Sequence, residues 1–156
     1  MNSYHPLCSR ITGSNNELPE TMKTIKALSM WEPWATAVAL NIKGFETRSW
    51  KTPYRGPLLI CASQKRLPII QIVLLLVSAR LTVSDLQYGR AVCIVNLVDI
   101  LKTEDIVVSG IEKKFGDFSP GRFAWKFQNV RRFVNPPLIR GKQGLFDVQM
   151  SEANHV

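Results

Sequence analysis

Lys43, Glu46 and Arg48 set an ammonium, a carboxylate and a guanidinium close together around Gly44. On an extended strand Glu46 and Arg48 point to one face, and Gly44 supplies the tight turn that brings Lys43 towards them. Trp31 precedes the group, and Trp50, Tyr54 and Arg55 follow it. Cations of this kind hold phosphate or a base edge, a carboxylate accepts from an amino group, and an indole stacks a base. The same three charges also fit a surface ion pair worth under ~1 kcal/mol. Trp34 and Trp125 sit among apolar neighbours and are expected in the core. Lys142 and Gln143, between two glycines, form either a ligand loop or a plain turn.

Other chemistry is scarce. Both histidines, His5 and His155, lie in the tails, so no core imidazole is left for zinc or for a Ser-His or Cys-His couple. Cys8, Cys61 and Cys93 are odd in number and lack metal spacing. They read as reduced thiols, two of them buried, in a reducing cytoplasm. No metal and no cofactor is expected. The most apolar run, Ile69 to Ala79, is interrupted by Gln71 and Ser78. It falls short of the ~18 residues a membrane span requires, and the N-terminus lacks an apolar signal core.

The elements that must position these groups follow from patterning. Residues 1–22 are polar, with Pro6, Gly13 and Pro19, and read as a flexible extension, which makes Met22 an alternative start. The domain is expected over 23–150 and a tail over 151–156. A strand is expected over Ile25–Met30 and a helix from Pro33 to about Leu40. Extended chain follows at Phe45–Trp50, a turn at Pro53–Pro57 and a buried strand at Leu58–Ala62. Pro68 opens a second helix to about Leu81, apolar nearly all round and therefore expected to be deeply packed. Ala91–Leu101 is the longest strand, and Thr103 begins a short acidic helix or loop. Phe123–Phe127 and Val130–Val134 read as two strands separated by a turn at Gln128-Asn129, and Leu145–Met150 closes the domain. This pattern predicts an α+β fold with a curled sheet or small barrel.

The 156 residues carry a net charge of +8, which favours anionic partners. Lys43, Arg48, Lys51, Arg55, Lys65 and Arg66 face one acid, Glu46, within residues 43–66. Arg122, Lys126, Arg131, Arg132, Arg140 and Lys142 face none within 122–142. That segregation predicts a positive face.

Lys43, Glu46 and Arg48 resemble the signature Gly-x-Lys-x-x-Glu-x-Arg of the activating signal cointegrator homology (ASCH) domain. The flanks Trp31-Glu32-Pro33-Trp34-Ala35, Arg48-Ser49-Trp50, Thr52-Pro53-Tyr54-Arg55-Gly56 and Leu58-Leu59-Ile60 are similar to that family too. So are Gly121-Arg122-Phe123-Ala124-Trp125, Pro136-Pro137 and Gly141-Lys142-Gln143-Gly144-Leu145-Phe146. The resemblance implies a PUA-like small mixed β-barrel with flanking helices and a cleft beside the signature. It implies binding of RNA or a nucleotide-like ligand, with Trp31, Lys43, Glu46, Arg48, Trp50, Tyr54, Arg55, Lys65, Arg122 and Lys142 as the binding set. Some bacterial members hydrolyse modified cytidines. The signature glycine is Asn41 here, and asparagine tolerates the left-handed turn. Where the amidohydrolase members carry a threonine nucleophile this chain has Glu46, and Thr47 would face the other way on a strand. The alternative to binding is therefore a metal-independent hydrolase or nuclease using Lys43 and Glu46, with Glu112 or Asp117 as a more distant carboxylate. A third reading makes the apolar helix a protein contact, for which an exposed apolar face would be the sign.

Overall fold

The computed structural model describes residues 21–151; the expected extension, Cys8, His5 and His155 fall outside them, apart from Thr21 and Met22. Six strands and three helices follow in the order β1 (Met22–Met30), α1 (Trp34–Ala39), β2 (Phe45–Arg48), β3 (Gly56–Ala62), α2 (Ile69–Ala79), β4 (Ala91–Lys102), α3 (Gly110–Lys114), β5 (Phe123–Arg132) and β6 (Leu145–Ser151). They form one sheet in the order β2-β5-β4-β3-β1-β6, with β1 and β3 parallel and every other pair antiparallel.

The α+β class stands, but the sheet is open and not the closed barrel expected. Its edges are β2 and β6. β2 spans only four residues, and it meets β1 through a side chain: Arg48 Nη2 donates to the Ser29 carbonyl at 3.0 Å.

Alternation along β3 explains why both faces of the sheet are covered. Leu58, Ile60 and Ala62 join one cluster with α1, Val92, Val95, Leu97 and Trp125. Leu59 and Cys61 join the other, with Ile94, Phe133, Phe146 and Met150. Trp125 lies in the core as expected, its ring edge-on to Trp50 at 4.7 Å between centroids.

β5 is one strand and not the two expected. Asn129 takes φ 52°, and the register against β4 shifts between Ile94 and Asn96. Asparagine admits the left-handed conformation, so the extra residue is absorbed as a bulge and the ladder continues.

The packing of α2 also departs from expectation. Only Ile72 and Leu76 are buried, against a small satellite cluster of Leu67, Leu81, Leu86 and Tyr88. The opposite face, with Ile70, Leu74 and Val77, is exposed.

Cys61 and Cys93 are buried free thiols, each pushed up to about 12 by desolvation. The thiolate is the reactive form. Neither should be alkylated in the folded protein at pH 8, and both should react in denaturant. Peptide mass mapping after brief alkylation reads this out; labelling at either site before unfolding would contradict the burial.

Candidate functional site

The signature turn is built by backbone first. Asn41 adopts φ 58°, the conformation for which asparagine can replace glycine. Ile42 and Lys43 N–H groups donate to the Ala37 carbonyl, closing the end of α1. Glu112 on α3 then clamps the turn: Oε2 accepts from Gly44 N–H at 2.7 Å and Oε1 from Phe45 N–H at 3.1 Å. The more distant carboxylate therefore holds backbone.

Lys43 is 1% exposed. Its ammonium donates to the Phe115 carbonyl at 2.6 Å and lies 3.4 Å from Glu46 Oε2. Arg48 Nε lies 3.0 Å from Glu46 Oε1, although the Nε–H is not aligned for a hydrogen bond, so this contact is coulombic. The Glu46 side chain, 12% exposed, thus shows the cleft a carboxylate backed by two cations. Thr47 Oγ1 accepts from Asp117 N–H at 3.0 Å, and Thr47, expected to face the other way, also lines the cleft beside Glu46.

Two clefts meet here. The first, of about 490 Å³, is lined by Trp31 and Trp34, by Glu46, Arg48, Asp117 and Arg122, and by Lys114. Arg122 Nε sits 3.3 Å from Asp117 Oδ2. Hydrogen bonds from Ser119, with Arg122 adding to them, hold the Asp117 carboxyl below its usual range. The second cleft, of about 660 Å³, shares Ser29, Trp31 and Arg48 with the first and adds Trp50, Gln64, Arg140, Lys142 and Gln143. Among the described residues no carboxylate lines it. Gly141 lets the 140–144 loop close on β1, because a Cβ there would collide with Ser29 Oγ.

The expected residues divide accordingly. Trp31, Glu46, Arg48 and Arg122 meet in the first cleft, and Trp50 and Lys142 join Trp31 and Arg48 in the second. Lys65 stands at the rim, its ammonium 3.9 Å from the centre of the Trp31 ring. Lys43 lies beneath, behind Glu46. Tyr54 and Arg55 line neither cleft. The Tyr54 hydroxyl donates to the Pro57 carbonyl, and Arg55 caps the Thr52 and Tyr54 carbonyls and reaches Asp99 at 3.6 Å. The positive stretches are split as well, for Arg132 lines a separate hollow behind α1. Sequence reasoning passed over Ser29, Lys114 and Gln64 as site residues, and nothing in their local pattern marks them. Arg140 was legible only as one charge in an acid-free stretch. Among the described residues no group of His, Cys, Asp or Glu converges to hold a metal ion.

These features define a small α+β domain whose polar, indole-edged clefts open at an unclosed margin of its sheet. Residues 28–137 match the ASCH domain, and the chain belongs to that family. It is similar to activating signal cointegrator 1 of Mus musculus, 54% identical over 39 residues, and to that of Homo sapiens, 49% identical over 39 residues. Each match covers 25% of this chain and 7% of the relative. The Arg140–Gly144 side of the second cleft lies beyond the matched residues. No helix among the described residues is long and apolar enough to cross a membrane.

Proposed function

We propose that residues 23–150 bind single-stranded RNA or a nucleotide-like ligand along the two joined clefts. The observation that carries this reading is the second cleft. There Arg48, Arg140 and Lys142 join two indoles with, among the described residues, no carboxylate, and this cleft shares Ser29, Trp31 and Arg48 with the one that Glu46 lines. Phosphates suit the cations, bases stack on Trp31 and Trp50, and an unpaired base edge reaches Glu46 with its amino group. What favours binding over hydrolysis is the placement of Lys43. Its ammonium is held by the Phe115 carbonyl and Glu46 and is not presented to the cleft, so it is poorly placed to take a proton from water or substrate.

The test is fluorescence anisotropy with a labelled single-stranded oligonucleotide over a series of salt concentrations. Each phosphate neutralised contributes about 0.7 to the log–log slope for a single strand. The exposed pair Arg140→Ala/Lys142→Ala should therefore reduce the slope by about 1.4. Trp31→Ala should cost about 1–3 kcal/mol if a base stacks there. No binding at low salt, or a slope unchanged in the double variant, would remove the second cleft as the nucleic-acid site.

A further inference from the structure

The outer face of α2 is an exposed apolar feature that the clefts do not explain. Ile70, Leu74 and Val77, spaced i, i+4 and i+7, are each 70–78% exposed, and Ile69 extends the stripe at one end. Singly exposed apolar residues are ordinary on protein surfaces, whereas a contiguous helical stripe marks an interaction site.

Its charge surroundings select the partner. From Leu67 to Ala79 there is no charged residue, and no carboxylate occurs anywhere between Glu46 and Asp85. Cations stand at both ends and alongside: Lys65 and Arg66 before the helix, Arg80 at its C-cap, and Lys113 and Lys114 on α3. Lys114 Nζ reaches Ser78 Oγ at 3.4 Å. The nearby acids are engaged within the domain, Asp85 by Thr82 and Glu112 by the Gly44 and Phe45 amides. A second copy of this +8 chain would bring cations against cations around any α2–α2 contact. A lipid surface would suit the cations, but the stripe is wholly aliphatic and lacks the aromatic anchors of interfacial helices.

We propose that this face docks an acidic amphipathic helix of a partner protein, whose apolar side covers Ile70, Leu74 and Val77 and whose carboxylates meet Arg80 and Lys113.

The experiment titrates the 15N-labelled protein with a synthetic helical peptide of about five turns. The peptide carries leucines at i, i+3, i+4 and i+7 and glutamates elsewhere; a control peptide has lysine for every glutamate. The expected result is saturable amide shifts over Ile69–Ala79 and α3 with the glutamate peptide only. Leu74→Glu, an exposed change whose folding is checked by its melt, should weaken that binding roughly tenfold or more. Lys113→Glu should weaken it too and raise affinity for the lysine peptide. Equal response to both peptides, no shifts on α2, or shifts confined to Arg48, Arg140 and Lys142 would overturn the proposal. So would a dimer in sedimentation that Leu74→Glu dissociates, or adsorption to phosphatidylserine vesicles that the same variant abolishes.

Discussion

Glu46→Gln is expected to lower both stability and ligand affinity. Viewed as an accessible surface carboxylate, Glu46 would be removable without cost to folding, and the sequence supports that view. The structure reverses it. Lys43 is 1% exposed, and its ammonium has the Phe115 carbonyl and the Glu46 carboxylate as polar partners. Neutralising Glu46 leaves a buried cation compensated by one carbonyl. Breaking a buried pair this way costs about 3–5 kcal/mol, and partial solvent access at Glu46 brings the expectation to the lower end or somewhat below. Arg48 is half-buried and keeps the Ser29 carbonyl, so it adds little to the loss. Urea unfolding of the parent, Glu46→Gln, Lys43→Met and the double variant forms a cycle that isolates the pair. The double variant should be more stable than Glu46→Gln alone, since it no longer buries an unmatched charge. If Glu46→Gln unfolds with the parent's midpoint, Lys43 is not held by Glu46.

Glu32→Ala should be as damaging, although Glu32 touches no cleft. This carboxylate is buried just ahead of α1, where it accepts from Thr36 N–H at 3.0 Å, Thr36 Oγ1 at 2.7 Å and Gln87 N–H at 2.8 Å. It ties the start of α1 to the chain leading into β4. Truncation leaves these donors without a partner, and an unsatisfied buried group costs about 1–3 kcal/mol, so a loss of about 3 kcal/mol or more is expected. The pH dependence has a definite sign. Burial raises the Glu32 pKa above its ordinary value, more than the three hydrogen bonds lower it. The folded state then holds this proton more tightly than the unfolded chain does. Its contribution is full below the unfolded value near 4.5 and declines as pH rises through the folded value. The stability advantage of the parent over Glu32→Gln should therefore shrink from acidic pH towards neutrality, as measured by urea midpoints. An advantage that grows with pH would mean that the hydrogen bonds outweigh desolvation.

Much of this architecture was legible in residue order. Apolar runs with turn residues between them located every strand but β5, which they split in two, and the left-handed tolerance of Asn41 was enough to keep the signature turn. The β2 pattern placed Glu46 and Arg48 together, because side chains two apart on a strand share a face. Local pattern misled where the outcome depended on a neighbour. Gln128-Asn129 looks like a turn, but β4 offered a ladder that made a bulge the better solution. α2 looks like a core helix because its side chains are apolar all round, yet periodicity cannot say how many elements surround a helix.

The sequence by itself determined the chemistry available: a carboxylate set among cations, indoles nearby, and an excess of positive charge. Only the tertiary structure decided which groups meet. Lys43 goes under the site because Phe115, far along the chain, supplies the carbonyl its ammonium needs. Tyr54 and Arg55 leave the site because carbonyls of the 52–57 segment bind their side chains. Arg140 and Lys142 enter because Gly141 lets their loop approach β1. The reason is physical: a side chain's type limits the bonds it can make, whereas its partner is set by long-range packing that no local spacing encodes.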